Sequence, residues 1–385
     1  YILSKIDTIY DDPDGVLNLS ITEGKINKVL ISGQEKTKEY VIERNIMTEP
    51  GTVYNENLIK QDLVRLYSTQ AFKDVNRTIE PSEEDPDKYD VTIELKEQRT
   101  ASVSVGGGLD TATGAFGSVA ISDNNFRGRN QRVSLMGLVG SGILMSDSSI
   151  KSHMNYQAEL SFFEPHFLNA DNSLMSKIYY RDLGSYHIPL ALERRIGVEA
   201  TLAHRLKHNP RLSTTLTTGV EHIHMSEGDS NRIAKMYESH GFNIADRQKQ
   251  LDGGLFLRIA PGFAYDSRDS ISNPRRGSLA SVRFEQAFGL DDLGKTNGRL
   301  IGMAKKYFPV AKKSSLTFTG RGGLKVYGSD MPEIMAFRLG GPYTIRGYRV
   351  NGVGTGTSFV MGSAELATPL PFSDRFKINF LQTLR

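Results

Sequence analysis

From residue 101 onward, apolar and polar residues alternate one by one. Met154, Tyr156, Ala158, Leu160 and Phe162 alternate with His153, Asn155, Gln157, Glu159 and Ser161. Ala280, Val282, Phe284 and Phe288 alternate with Ser281, Arg283 and Glu285. Leu316, Phe318, Leu324 and Val326 share a parity opposed by Thr317, Thr319, Arg321 and Lys325. Phe376, Ile378, Phe380 and Leu384 face away from Lys377, Asn379, Thr383 and Arg385. A period of two predicts strands with one apolar face. Strands of soluble sandwiches usually run to about five or six residues. Segments of about 9–14 residues with charges on one face suit a transmembrane antiparallel β-barrel, with lipid outside and water inside. A large soluble β-protein is the alternative.

The pattern predicts thirteen strands, near 101–109, 115–123, 131–139, 153–164, 173–182, 194–206, 211–225, 253–266, 277–288, 297–309, 314–327, 356–368 and 375–385. Bacterial single-chain barrels have even strand numbers, so thirteen implies missing strands, and three more would make sixteen. Short turns at 124–130 and 208–211 mark one side of the sheet, and long links at 226–253 and 328–355 mark the other. With no Trp in the chain, an aromatic girdle must draw on Tyr and Phe, such as Tyr179, Tyr180, Tyr265, Tyr307 and Phe308.

The first hundred residues follow another rhythm. Asp12-Pro13-Asp14 precedes the alternating Leu17, Leu19 and Ile21, and Asp85-Pro86-Asp87 precedes Val91, Ile93 and Leu95. Each reads as a hairpin. Between them lie a strand at 25–32, a helix capped by Thr37 through Met47, and a helix capped by Asn55 through Gln70. In the second helix Leu58, Ile59, Leu63, Leu66 and Tyr67 form one stripe. The expected organisation is the last hairpin of a truncated domain at 1–23, a complete β-α-α-β-β domain at 24–98, and an incomplete barrel at 99–385. The chain opens in mid-pattern without Met, as a fragment or processed form would.

Charge sharpens this division. Residues 1–100 hold 13 Lys+Arg and 20 Asp+Glu, whereas 101–385 hold 34 and 24. An acidic front and a basic back suggest different surroundings. The absence of cysteine excludes disulfides, thiolate metal sites and a cysteine nucleophile, and leaves the compartment open. No stretch approaches 18 consecutive apolar residues, which excludes a transmembrane helix but not a barrel.

Candidate chemistry is sparse. Gly289-Leu290-Asp291-Asp292-Leu293-Gly294-Lys295-Thr296 has the form GxxxxGK[ST], yet a phosphate-binding loop needs a helix directly after it. A strand follows instead, and Asp291 and Asp292 would repel phosphate, so a solvated external loop is expected. His222 and His224 share a strand face without an apparent third ligand, which reads as lumen-facing or rim histidines rather than a metal site. No catalytic constellation is present, and the chain is not expected to be an enzyme. The informative loop is Leu339-Gly340-Gly341-Pro342-Tyr343-Thr344-Ile345-Arg346-Gly347-Tyr348. A guanidinium inside a barrel needs a carboxylate partner. Glu365, opposite in parity to Val360, Ala364 and Leu366, points to the lumen. From the residues alone, an external loop with an unpaired Arg remains as plausible.

The 24–98 unit resembles polypeptide-transport-associated (POTRA) domains, with Tyr67 and Ala71-Phe72-Lys73-Asp74-Val75 where those domains place an aromatic and a valine. The chain as a whole resembles the BamA-type superfamily of outer-membrane assembly factors and translocases, which includes chloroplast Toc and mitochondrial Sam barrel relatives. Gly340-Gly341 with Ile345-Arg346-Gly347-Tyr348 matches the V/I-R-G-Y/F motif of that family's lumenal sixth loop. Gly362-Ser363-Ala364-Glu365, with Thr368-Pro369-Leu370-Pro371-Phe372, resembles its next strand, and implies that Glu365 pairs with Arg346. Tyr265-Asp266-Ser267-Arg268-Asp269, with Asn273-Pro274 and Gly277, resembles a conserved turn. Asn125-Phe126-Arg127-Gly128-Arg129 resembles the first periplasmic turn. The final three strands, the lumenal Asp expected on strand thirteen or fourteen, and further POTRA domains are the departures.

The resemblance implies an outer-membrane protein that folds and inserts β-barrel clients, with POTRA domains in the periplasm. Its seam would be the strand with Val103, Val105, Gly106, Gly107 and Gly108, where an exposed edge can add a client strand. Implied partners are unfolded barrel clients, outer-membrane lipid, and periplasmic accessory proteins or chaperones. No cofactor, metal, nucleotide or nucleic acid is expected. The alternatives are a polypeptide secretion pore of the same superfamily, a passive porin, and an NTP-dependent enzyme.

Overall fold

The computed structural model of the chain describes residues 5–11, 17–85, 87–110, 113–142, 150–185, 187–239, 251–311, 314–328, 332–341, 343–348, 351–369 and 379–384. The Asp12-Pro13-Asp14 turn, Pro86, Pro342, residues 370–378 and Arg385 therefore lie outside the described residues. The chain forms two compact units, residues 1–103 with 121–134, and residues 104–120 with 135–385.

In the first unit, β1 (Lys5–Asp11) and β2 (Leu17–Thr22) pair antiparallel. β3 (Lys25–Ser32), α1 (Glu39–Glu43), α2 (Glu56–Ser68), β4 (Phe72–Pro81) and β5 (Lys88–Glu97) follow in the expected order. β5 lies centrally, parallel to β3 and antiparallel to β4. Alternation puts Val91 opposite both Val29 and Ile79, beneath the fully buried Ile59 of α2. The Asn55 side chain accepts from the N–H of Asn57 and Leu58 at 3.0 and 3.2 Å, so the predicted cap forms.

Two expectations fail here. The helix from Thr37 to Met47 shrinks to the five residues of α1, with Lys38 at its start and no side-chain cap. Asn45 donates its side-chain amide to the Val41 carbonyl at 2.7 Å, which competes with the helical backbone bond and ends the helix. The Thr37 hydroxyl instead accepts from Asn125 Nδ2 at 2.9 Å, within the same unit. Tyr67 does not belong to the buried stripe of α2 and is exposed, because it stands about 100° around the helix from Leu66. Asp62 takes the middle of that stripe. Fully buried, it accepts from the N–H of Met47 and Thr48, both at 3.0 Å, and pairs with Arg65.

A meander of β6 (Ala101–Asp110), β7 (Gly114–Phe126), β8 (Gln131–Gly140), β9 (Asn155–Glu164), β10 (Asn172–Gly184) and β11 (Ala191–Arg205) follows. It continues through β12 (Leu212–Glu227), β13 (Gly254–Asp266), β14 (Gly277–Gly289), β15 (Asn297–Pro309) and β16 (Ser315–Tyr327). The short β17 (Phe337–Leu339) and β18 (Gly354–Gly356) pair with each other, and β19 (Ser358–Pro369) and β20 (Asn379–Leu384) complete the order. Apart from β1–β5, β17 and β18, all belong to one 13-stranded sheet in sequence order, with β6 and β20 as its two edges. The predicted strand count and order hold. The long links carry structure of their own: α3 (Ser230–Ser239) between β12 and β13, and β17 and β18 between β16 and β19.

The burial of this sheet is inverted relative to a soluble protein. Val105, Val198, Phe263 and Val360 are exposed on its outward face, while Glu193, Glu221 and Asn297 are buried on the other. Lipid suits the first set, and ion pairs of Glu193 and Glu221 with hydrogen bonds of Asn297 satisfy the second. No helix among the described residues is long and apolar enough to cross a membrane. Parity assigns two expectations differently. Tyr180 and Phe308 stay outward as girdle candidates, but Tyr179 and Tyr307 are buried inward, Tyr179 donating to Glu221 at 2.6 Å. His222 and His224 are exposed on the outward face with Leu216 and Val220, so they do not face the lumen.

Candidate functional site

The loop between β16 and β19 is built in two stages. Its stem is the β17–β18 pair, in which Arg338 opposes Thr355. The Phe337 ring packs 5.1 Å from that of Phe359, an inward residue of β19, and beneath the Arg299 guanidinium, which also donates to the Met335 carbonyl. A side chain at Gly323 would collide with both rings. The stem therefore lies on the inward face.

Beyond the stem, Gly340, Gly341 and Gly347 all adopt positive φ, which a side chain would resist. The Thr344 hydroxyl accepts from the Gly340 N–H at 2.8 Å and donates to its carbonyl at 2.9 Å. This turn presents Arg346, whose Nη2 stands 3.9 Å from Glu365 Oε1, while Tyr348 is exposed. Glu365 shares the inward parity of the buried Met361. It opposes Thr317, whereas Ser358 at the start of β19 opposes Leu324. At about 3.4 Å per residue, the arginine reaches roughly 24 Å along the strand.

A second anchor holds the loop from its other side and has no local signature in the sequence. Arg338 donates to His187 Nδ1 at 3.0 Å, to the His187 carbonyl at 2.6 Å and to Glu333 at 2.6 Å. Burial, then the charges of Arg338 and Arg195, push the His187 pKa down to about 3, so the imidazole is neutral and able to accept. Ile188, Ile233, Phe256, Ile334 and Met335 pack into one apolar cluster around this clasp.

The other sequence candidates are dispersed. Val103 and Val105 are exposed on the strand β6. Gly106, Gly107 and Gly108 lie against β7, where the Phe116 ring covers Gly108. In the turn after β13, Arg268 forks onto Asp266 at 2.9 and 2.7 Å. Asp269 accepts from the N–H of Arg275 and Arg276 at 2.9 and 3.1 Å, which holds its carboxyl below the usual range. These fix the turn and place no free group for chemistry. Lys295 is buried and donates to the Gly253 carbonyl at 2.7 Å, and the strand β15 follows it. Its ammonium is thus spent on the backbone rather than offered to a phosphate. Among the described residues no group of three His, Asp or Glu is arranged to hold a metal.

The inward faces of β10–β13 carry a network that sequence reading missed. Glu199 pairs with Lys177 at 2.9 Å and Arg258 at 3.0 Å. Arg195 bridges Glu193 and Glu221. Inward parity was the available signal for each residue, but the partners follow only from the register.

Two family models match the chain: the Omp85 superfamily domain at residues 125–383 and the surface antigen variable number repeat, POTRA, at 24–98. Outer envelope protein 80, chloroplastic, of Oryza sativa subsp. japonica is 23% identical over 92% of this chain and 53% of its own length. Outer membrane protein assembly factor BamA of Neisseria meningitidis serogroup B is 23% identical over 90% of the chain and 44% of its own length. The chain thus spans about half the length of these curated relatives. The crystal structure of BamA from Haemophilus ducreyi lacking POTRA domains 1–3 superposes with a TM-score of 0.71 at 20% identity, over 99% of this chain and 75% of that one.

Proposed function

Because the chain belongs to the Omp85 superfamily, and is on that footing an integral outer-membrane β-barrel with a periplasmic POTRA domain, we propose that it folds and inserts β-barrel clients through a lateral seam. The observation that carries this reading is the strand β6, which carries three consecutive glycines beside the exposed Val103 and Val105. Glycines pack little against a neighbouring strand, so β6 holds a closing partner weakly and can exchange it for the N–H and C=O groups of an incoming strand. The POTRA sheet has β3 and β4 as its outer strands; β3 is bridged to residues 51–54 at its start, which leaves β4 as the edge that suits an extended client or accessory protein. Client folding free energy would drive the process, without catalysis and without nucleotide.

The test uses the full-length protein with Val105→Cys and a second cysteine on the strand that closes the barrel. These 385 residues contain no cysteine, and any elsewhere in the full-length protein are first replaced by serine, which keeps the pair unambiguous. Oxidation should stop insertion of a reporter barrel into liposomes, and reductant should restore it. Full insertion by the oxidised protein would reject the seam and favour polypeptide export through the lumen.

A further inference from the structure

The inward wall divides into two electrostatic halves. On β10–β13 each glutamate is matched by a cation. On β14–β16, Glu285 is the only carboxylate in the three strands, against Arg283, Arg299, Lys305, Arg321 and Lys325 on the same face. Glu285 is already shared by Arg283 at 2.6 Å and Arg299 at 2.5 Å. Arg321 Nε is buried and has no hydrogen-bond partner among the described residues.

Two of these cations, Arg283 and Arg321, face a common space. A cavity of about 400 Å³ is lined by Thr215, Gly262, Arg283, Met303, Arg321 and Phe359, among others. Thr215 opposes Gly262, and Gly262 opposes Arg283. Arg283 opposes Ile301 on β15, while the next inward residue, Met303, opposes Arg321. The two arginines therefore start ~12 Å apart by sheet spacing, close enough for their long side chains to converge on one ligand. Surplus cations on a low-dielectric wall attract a counter-anion, and planar guanidinium donors favour the forked geometry of an oxyanion. Met303 and Phe359 add apolar surface to the lining beside the arginines.

We propose that Arg283, Arg321 and Thr215 form a lumenal oxyanion pocket that binds carboxylate side chains of an acidic polypeptide segment. The pocket itself follows from the charges and the cavity; naming a polypeptide as the source rests on the insertion-or-export reading above. The test is anisotropy of a fluorescein-labelled Glu-Gly repeat peptide of about ten residues with the full-length protein in micelles. Removing one charge-assisted hydrogen-bonding group predicts about a tenfold weaker affinity for Arg321→Gln, and more for the double change with Arg283→Gln. Arg321→Lys should recover part of it. Lys306→Gln removes the same charge from the opposite, exposed face of the sheet and should change nothing. Heat-modifiable migration, unchanged in every variant, separates loss of binding from loss of fold. No peptide binding, or equal losses for Lys306→Gln and Arg321→Gln, would overturn the pocket. Displacement by inorganic phosphate at equal concentration would overturn the polypeptide source and leave a site for a free oxyanion. Because binding requires no insertion, the seam-locked protein serves as well, and failure of the seam leaves this measurement standing.

Discussion

The His187–Arg338 clasp makes the external loops sensitive to acid, and the sign is fixed by the direction of the shift. The folded pKa of about 3 lies below the ordinary histidine value of 6.5. The depression comes from burial first and then from the Arg338 and Arg195 charges. The open clasp therefore binds a proton that the closed clasp refuses, so stability is complete above pH 6.5 and falls as pH drops toward 3. Protonation also removes the Nδ1 acceptor that Arg338 uses and sets two cations against each other. With these two values, linkage gives a loss of about 2 kcal/mol for clasp opening at pH 5 relative to pH 8. The assay is hydrogen exchange of the amides at 187–191 and 333–339 in the full-length protein at both pH values, corrected for the intrinsic rate. His187→Gln keeps a side-chain acceptor that does not titrate and should flatten the difference. If the parent and His187→Gln proteins lose protection equally between pH 8 and pH 5, the neutral imidazole is not what closes the clasp.

The Arg346–Glu365 pair should be weak in stability terms. Its arginine side chain is 45% exposed and the separation is 3.9 Å, so a double-mutant cycle with Arg346→Ala and Glu365→Gln should give a coupling of about 1 kcal/mol or less. A coupling above about 3 kcal/mol would require a fully desolvated pair. Arg346→Ala should nonetheless slow client insertion by displacing the loop, with Arg346→Lys a partial rescue. Lys295→Ala should lower the thermal midpoint, because it orphans the Gly253 carbonyl, without affecting any nucleotide. Micromolar, magnesium-dependent ATP binding that this change abolishes would contradict that assignment.

Strand positions were readable because β6–β16 and β19 meet lipid on one face and a polar interior on the other, so a period of two survives along their 10–16 residues. Glu365 could be assigned a direction by the same parity. Local rules failed where tertiary partners intervened. Asn45 cut α1 short, and Tyr179 served as a buried donor to Glu221 rather than as an interfacial aromatic. The His187–Arg338 clasp joins residues 151 positions apart, and nothing in either neighbourhood foretells it. The same holds for the Arg195 bridge, whose two glutamates come from β11 itself and from β12. A sequence shows which face a charge takes, whereas its partner depends on register across strands.

The two halves of the inward wall then have different work to do. A charge already matched within the wall costs several kcal/mol to strand, so the β10–β13 network resists any rearrangement that would separate Glu199 or Glu221 from their cations. That half is suited to hold its shape while something beside it changes. The β14–β16 half has a single carboxylate, Glu285, shared by Arg283 and Arg299, and the stem of the long loop packs directly on it through Arg299 and Phe337. A mobile anion arriving there would compete for guanidinium groups with Glu285, which also fixes Arg299 against that stem. Occupancy of the lumen and the position of the loop would then be coupled through one carboxylate. Glu285→Gln should loosen the stem and strengthen acidic-peptide binding together, and a change in only one of the two would show that they are independent.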